Sequence, residues 1–295
     1  MPPVLIFFTT WRMDPFALGT LVVAFLLYSA GIVAARQRGR RWPPHRALSF
    51  YLLGLGSYAW VSFGFLGAFS IDLRWAFTTR IALLLLVVPA LMSLGRPVLL
   101  AKAALSDGAV RQLDRFFDSR LIRFTGNAVF EPLFSLGLFL VFLTPFSGLV
   151  RGSTYGQWGV SVLIPVIGLL TILPIFENTT RHTSFFVMVE FVLAFAAFVF
   201  DPIPGILLRI NGTVLDQVVS PLGMSAPWFP SALRDQQLSG DILWFLAEIL
   251  DVPVLIILII RWNRIDRTEA KSLDDLSDEE MAALTRAHLR GPDRY

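Results

Sequence analysis

The sequence predicts an all-α membrane protein, a bundle of seven transmembrane helices. The chain has 295 residues, of which 55% are hydrophobic and only 16% are charged, whereas soluble domains average roughly 25% charged residues. Seven stretches reach the ~20 mostly apolar residues that a helix needs to cross a bilayer. Loops rich and poor in arginine alternate along the chain, which is typical of a multi-pass protein.

Seven apolar stretches define the predicted transmembrane helices. Pro89 in the third and Pro165 in the fifth predict kinks, which a membrane helix tolerates because neighbouring helices satisfy the freed carbonyls. Trp42 and Trp158 fall at expected membrane boundaries, as in an aromatic belt. The predicted spans are residues 16–35, 48–69, 81–101, 128–150, 157–175, 184–203 and 241–260.

Basic residues predict the orientation. Five arginines lie in residues 36–47, and Lys102 with four arginines lies in residues 102–127. Loops of this kind stay on the cytoplasmic side. With seven crossings, the N-terminus is predicted outside and the C-terminus inside.

Residues 102–127 are not a predicted span. Arginines such as Arg111 and Arg115 alternate there with Leu113 and Phe116, which predicts an amphipathic helix on the inner leaflet with anionic lipid as its partner. A basic loop helix packed on the bundle explains the same pattern. The two interpretations stay open.

Two further segments complete the predicted organisation. Residues 204–240 carry glycines and prolines such as Gly205 and Pro221, which predict an outer loop cap without regular helix. Residues 1–263 then form the transmembrane domain. Residues 264–295 form a cytoplasmic tail with a short helix after Ser277, whose spacing to Glu280 fits a capping box.

The residue inventory excludes several kinds of chemistry. Cysteine is absent and there are three histidines, so disulfides and thiolate metal sites are excluded. No nucleophile–base pair or glycine-rich phosphate loop is visible. We therefore expect no enzymatic activity and no nucleic-acid partner.

Three acids lie within predicted spans, where a charge is expensive. Glu248 and Asp251 are three residues apart and share a helix face, and Glu190 enters from the opposite side in the preceding span. We expect all three to face the bundle interior as a polar cluster. They either form a proton or cation site or are neutral acids hydrogen-bonded between helices.

A series of short motifs runs along the chain in a fixed order. "TTWRMDPFALG" comes first, "VVPALMSLGRPVLLAKAAL" covers the third span, and "FVFDPIPG" follows the sixth. The stretch "RDQQLSGDILWFLAEILDVP" and the following "RWNRID" come last. The residues that carry these motifs are Trp11, Asp14, Pro15, Pro89, Gly95, Pro97, Asp201, Pro202, Asp235, Gln236, Gln237, Gly240, Trp244, Arg261, Trp262 and Asp266.

In this order the motifs resemble the CtaG-type membrane assembly factors of cytochrome c oxidase. The resemblance covers about residues 11–275. It implies a role in assembling a haem–copper oxidase in the bacterial plasma membrane, with oxidase subunits as partners and copper as the delivered metal. Asp235, Gln236 and Gln237 are polar and are expected on the outer side, where they organise the cap, and Gly240 is expected to allow close approach of backbone.

The chain departs from the family where copper is expected to bind. The family's His-Met and second His precede the proline of its third helix, and the matching "FSIDLRWAFTTRIALLLLVVP" contains neither residue type. His182 and Glu190 remain as candidate metal ligands. The prediction is an accessory protein that delivers copper or stays bound as a scaffold subunit. The alternative is a proton- or cation-coupled transporter that uses the intramembrane acids.

Overall fold

The computed structural model describes residues 2–117, 119, 136–177, 184–216, 218, 220 and 226–274, and no strand occurs among them. Short helices lie at the ends of several of the long apolar helices. The helices are α1 (Val4–Thr9), α2 (Pro15–Gln37), α3 (Pro44–Ala68), α4 (Arg74–Ser93), α5 (Pro97–Ala104), α6 (Asp107–Phe117), α7 (Phe146–Gly152), α8 (Thr154–Glu177), α9 (Ser184–Phe200), α10 (Ile203–Ile210) and α11 (Ala232–Asp274).

Five helices in the described part are long and apolar enough to cross a membrane: Pro15–Gln37, Pro44–Ala68, Arg74–Ser93, Thr154–Leu173 and Phe191–Ile210. The prediction of an all-helical, multi-pass membrane protein is confirmed. The count of seven and the orientation stay predictions.

The two other predicted spans have different outcomes. Span 128–150 falls partly outside the described residues, and its described part consists of a helical stretch at 136–140, the 3₁₀ turn Val141–Leu143 and the first residues of α7. Span 241–260 lies within α11, whose 43 residues extend about 64 Å at 1.5 Å per residue. This exceeds the roughly 30 Å hydrocarbon thickness, and α11 runs unbroken through the division predicted at residue 263.

Helix α4 lies at the centre of the bundle, because 72% of its most apolar 18-residue stretch is buried. Just before Pro89 it has a π-helical turn, Leu83–Val87. Pro89 has no backbone N–H, so it cannot donate a hydrogen bond to the carbonyl of Leu85, four residues earlier. Helix α8 crosses at this point through Gly168, where a Cβ atom would lie 2.1 Å from the Leu85 carbonyl oxygen.

The third span begins earlier than the sequence predicted, at Arg74 rather than residue 81, and ends at Ser93. Arg74 and Arg80 are 3% and 1% exposed, so they belong to the bundle and not to a loop. The helix ends because Arg96 has a left-handed φ of 51° and Pro97 starts α5. Gly95 packs tightly there, since a Cβ would lie 2.6 Å from that of Phe50.

The outer segment 204–240 also differs from its prediction as a loop cap. Helix α10 occupies Ile203–Ile210, and α11 already begins at Ala232. Gly205 and Gly240 lie where the two helices cross: a Cβ on Gly240 would be 2.4 Å from the Gly205 carbonyl oxygen, and one on Gly205 would be 2.7 Å from that of Gly240. The two glycines therefore allow α10 and α11 to pack closely against each other, and they do not interrupt either helix.

The predicted amphipathic segment 102–127 is described at residues 102–117 and 119, where the end of α5 is followed by α6. Arg111 and Arg115 are exposed on it, and Asp114 pairs with Lys102 of α5 at 2.8 Å. The rest of the segment lies outside the described residues, as does the tail beyond residue 274. Anionic lipid as a partner of α6 stays a prediction.

The crossing of α10 and α11 gives a first testable prediction. Gly240→Ala inserts a methyl group against backbone atoms that cannot move aside, so it should lower the free energy of unfolding by about 1–3 kcal/mol. Unfolding of the purified protein in mixed detergent micelles measures this. The matched control is Gly19→Ala, because a Cβ at Gly19 has nothing within 4 Å. Equal stability of Gly240→Ala and the parent would contradict the close crossing.

Candidate functional site

Of the three predicted intramembrane acids, the structure describes the side chain of Glu248. Glu248 is exposed on the surface of α11, where it accepts a hydrogen bond of 2.5 Å from the indole Nε1 of Trp244. The expectation that Glu248 faces the bundle interior is therefore corrected. The side chains of Glu190 and Asp251 lie outside the described part of the chain, as does all of His182.

The stretch that resembles the family's copper motif carries other chemistry. Arg74 and Arg80 are its buried charged residues. A guanidinium group is always protonated and has no free lone pair for a metal, so this stretch does not fit a copper ion. Within the described ranges no group of three or more histidines or acids is placed to hold a metal. Copper binding through His182 and Glu190 stays a prediction.

Polar side chains instead gather at the end of the bundle where α2, α4, α8 and α11 all begin, here called the polar end. Helix α4 has no side-chain cap of its own at Leu73, and Asp235 of α11 supplies one. Its Oδ2 accepts from the backbone N–H of Arg74 at 2.7 Å and its Oδ1 from that of Trp75 at 3.0 Å. An acceptor at this position satisfies free N–H groups of the first turn.

Asp235 carries out this role while only 6% exposed. Burial raises its pKa, and the hydrogen bonds from Trp75 and Arg74 act in the opposite direction. The two backbone donors thus offset part of the cost of removing the carboxylate from water.

Gln236, next to Asp235, is fully buried and joins three segments. Its Oε1 accepts from Arg74 Nη1 and from the backbone N–H of Leu215, both at 2.9 Å, and its Nε2 donates to the Thr213 carbonyl at 2.9 Å. One turn later, Ser239 and Thr78 share a hydrogen bond of 2.7 Å. We call these contacts the clasp; its members are Asp235, Gln236 and Ser239 of α11 and Arg74, Trp75 and Thr78 of α4.

A buried ion pair fixes the segment after α10 to α7. Arg151 Nε and Asp216 Oδ2 are 2.8 Å apart, with side chains 3% and 1% exposed. Arg151 Nη1 also donates to the Ile71 carbonyl at 2.5 Å, in the loop before α4. The pair is satisfied on both sides, as a buried pair must be if it is not to destabilise the fold.

A second polar group surrounds Arg80. Its Nη1 donates to Gln157 Oε1 and its Nη2 to Ser161 Oγ, both at 2.7 Å. Asp14 Oδ2 lies 3.7 Å from Nη2 and accepts from the Ser161 hydroxyl at 2.6 Å. Asp14 Oδ1 meanwhile caps α2 by accepting from the N–H groups of Phe16 and Ala17. Beside these groups lies a cavity of about 100 Å³, here called the Arg80 cavity.

The sequence signature residues therefore have distinct structural positions. Asp14 and Pro15 start α2, and Gly95 with Pro97 forms the turn from α4 to α5. Asp201 and Pro202 join α9 to α10. The others lie on α11 or at the polar end: Asp235, Gln236 and Gly240 are buried, Gln237 and Trp262 are half-buried, Trp11, Trp244 and Asp266 are exposed, and the side chain of Arg261 is outside the described part.

Arg74 and Arg80 were not predicted as site residues. Both stand at the start of an apolar stretch, and a hydropathy count assigns such charges to the preceding loop. The signal that identifies them is the polar set on other helices, such as Gln157 and Gln236. No local pattern pairs these residues, because they lie 77 and 162 positions away from Arg80 and Arg74.

The clasp yields the next prediction. Asp235→Asn replaces one of two carboxylate oxygens by a donor, which leaves a backbone N–H of α4 unpaired. We expect the free energy of unfolding to fall by about 1–3 kcal/mol. Asp241→Asn is the control on the same helix, since its pair with Arg209 is 38–41% exposed and such pairs contribute ~0–1 kcal/mol. An Asp235→Asn variant no less stable than Asp241→Asn would show that Asp235 does not cap α4.

Comparison with known proteins finds mycobacterial relatives along nearly the whole chain. Over 288 residues the chain is 27% identical to an uncharacterized protein of Mycobacterium bovis and to one of Mycobacterium tuberculosis. Over 290 residues it is 26% identical to one of Mycobacterium leprae. These alignments cover 93–95% of the chain and 43–44% of the relatives, so the chain spans less than half their length. No solved structure matches significantly.

The family comparison is more informative. The model of the cytochrome c oxidase caa3 assembly factor (Caa3_CtaG) matches residues 26–265. This range includes the clasp, Arg80 and the Trp244–Glu248 pair. The match covers well over half of the 295 residues, and the chain therefore belongs to the cytochrome c oxidase caa3 assembly factor family.

Proposed function

We propose that the chain is a membrane-embedded scaffold in the assembly of a haem–copper cytochrome c oxidase. Its place of action is the bacterial plasma membrane, which its apolar helices and its mycobacterial relatives support. Its partners are oxidase subunits, held against the surface of α11. Family membership supports the assembly role, and the arginines in the motif stretch favour a scaffold over a copper carrier.

The observation that carries the proposal is the exposed pair of Trp244 and Glu248. Both side chains are exposed in the single chain, within the predicted span 241–260. Apolar neighbours on α11 are exposed as well: Phe245 at 61%, Ile249 at 49% and Ile256 at 51%. A carboxylate in hydrocarbon is costly unless a polar partner covers it.

A partner helix satisfies this requirement. Helices associate in membranes through close packing and hydrogen bonds between polar side chains, because lipid tails give no hydrophobic drive. Glu248 would accept a hydrogen bond or ion pair from a donor on an oxidase subunit, and Trp244 would orient the carboxylate. The exposed apolar side chains would pack on the same subunit.

Copper delivery is the role that the family resemblance implies. Its candidate ligands from the sequence are His182, which lies outside the described residues, and Glu190. Copper(I) prefers imidazole and sulfur ligands. Metal analysis after copper(I) titration separates the roles: stoichiometric copper that is lost in His182→Ala would favour delivery over a scaffold.

A proton- or cation-coupled transporter is the remaining alternative. It would need Glu248 in the bundle interior, beside a path through the protein. The exposed position of Glu248 gives this alternative no support.

The basic face of α6 is consistent with a further contact to anionic lipid, which would hold the scaffold at the inner leaflet.

Substitution of Glu248 tests the scaffold. In the native bacterium, Glu248→Leu should reduce co-purification of oxidase subunits by roughly tenfold and lower the haem–copper oxidase content of membranes. Glu248→Gln, which can still accept a hydrogen bond, should have a smaller effect. Both variants should unfold like the parent, because the side chain is exposed.

Asp107→Asn is the control, since Asp107 is an exposed acid on α6, outside α11 and outside the family motifs. It should leave co-purification unchanged. Full oxidase recovery with Glu248→Leu at normal expression would exclude α11 as the contact surface.

A further inference from the structure

Helix α1 lies on the outside of the bundle at the polar end and is apolar on every side. Its sequence, VLIFFT, contains no charged residue, and none of its residues is buried. A helix that is hydrophobic all round belongs either in a protein core or in a membrane. Because α1 is not in the core, the membrane is the environment that its sequence fits.

One side of α1 packs on the bundle. The ring centroid of Phe7 lies 4.3 Å from that of Phe65 and 6.2 Å from that of Trp75. Ile6 packs against the same buried cluster. Trp75 is also the residue whose backbone N–H donates to Asp235 at 3.0 Å. This side therefore fixes α1 to the end of α3 and to the clasp.

The opposite side of α1 carries exposed apolar side chains. Val4 is 73% exposed, Leu5 72% and Phe8 60%; we call these three residues the α1 face. The α1 face continues onto α3, because the ring centroid of Phe8 lies 5.8 Å from that of Trp60, which is exposed as well. Trp60 belongs to Pro44–Ala68, one of the helices suited to crossing a membrane. The α1 face is thus continuous with the apolar surface of a membrane-length helix.

Polar side chains beside the α1 face are turned back onto α1. The Thr9 hydroxyl donates to the Leu5 carbonyl and Trp11 Nε1 donates to the Phe8 carbonyl, both at 3.0 Å. These bonds leave neither donor for a protein partner. Hydrocarbon requires that polar groups be satisfied internally in this way, whereas protein interfaces carry about one hydrogen bond per 100–200 Å². The α1 face is therefore better suited to lipid than to protein.

The residues that follow α1 indicate its depth. Trp11 meets Trp60 edge to face, with ring centroids 5.5 Å apart, and tryptophan is typical of the headgroup level. Arg12 comes next and is exposed. We propose that the α1 face enters the lipid leaflet at the polar end, at the boundary between headgroups and acyl chains, and fixes the depth of the clasp. Interfacial helices bury their apolar side about 5–10 Å at this boundary. This lipid contact is independent of the scaffold surface on α11.

Spin labels on the α1 face test the proposal. The chain contains no cysteine, so Leu5→Cys and Val4→Cys each give the full chain one site for a nitroxide label. In vesicles of phosphatidylcholine and phosphatidylglycerol, electron paramagnetic resonance compares collisions of the label with oxygen, which concentrates in lipid, and with a water-soluble nickel chelate. Leu26→Cys is the control for lipid, because Leu26 is exposed within the predicted span 16–35. Arg40→Cys is the control for water, because Arg40 is exposed in the loop after α2.

Both labels on the α1 face should collide preferentially with oxygen, with a ratio of oxygen to nickel collisions severalfold above that of Arg40→Cys and closer to that of Leu26→Cys. Each labelled chain should melt like the parent, because the substituted side chains are exposed; if one of the two does not, the other decides. A ratio equal to that of Arg40→Cys would place α1 in water. A label shielded from both reagents would show that protein packs on the α1 face. Either result overturns the proposal.

Discussion

Two buried arginines at the start of α4 set the architecture of the polar end. An unpaired charge inside a bundle would cost several kcal/mol, so every neighbouring helix has to present an acceptor. Gln236 of α11 serves Arg74, and Gln157 with Ser161 of α8 serves Arg80, assisted by Asp14 at the start of α2. Because the acceptors come from the starts of three other helices, the arginines fix how four helices begin.

The polar end and the surface of α11 thus have opposite characters. At the polar end, acids and amides are buried and bonded to named donors, which favours a structural role for Asp235 and Gln236. Further along α11, Glu248 is exposed among apolar side chains and has only Trp244 beside it in the described structure. The same helix therefore carries the clasp at one end and, in the proposed scaffold, the contact to oxidase subunits.

Much of the fold follows from local sequence rules. Apolar length predicts the multi-pass helical architecture, Asp14-Pro15 marks the start of α2, and Pro97 marks the start of α5. The predicted start of the third span is seven residues too late. Hydropathy treats Arg74 and Arg80 as unfavourable inside a span, even though buried partners on other helices satisfy them. Gly205 in the outer segment suggested a loop. Its close packing at a helix crossing involves Gly240, which lies 35 positions away, so the local sequence does not predict it.

The candidate site was less predictable for a related reason. A helix that is apolar on all sides gives no periodic signal for its buried face, so the direction of Glu248 could not be read from "LWFLAEILDVP". Likewise, the Arg80 cavity is formed by α2, α3, α4 and α8, and no single segment of the sequence predicts it. Long-range pairing, and not local pattern, decides both features.

The central claim is that buried arginines at the start of α4 are held by side chains of other helices. A double-mutant cycle of Arg74→Met and Gln236→Leu, measured by unfolding in mixed detergent micelles, tests it most directly. Their direct hydrogen bond predicts a coupling free energy of about 1–3 kcal/mol. Effects that add within about 0.3–0.5 kcal/mol would contradict the claim.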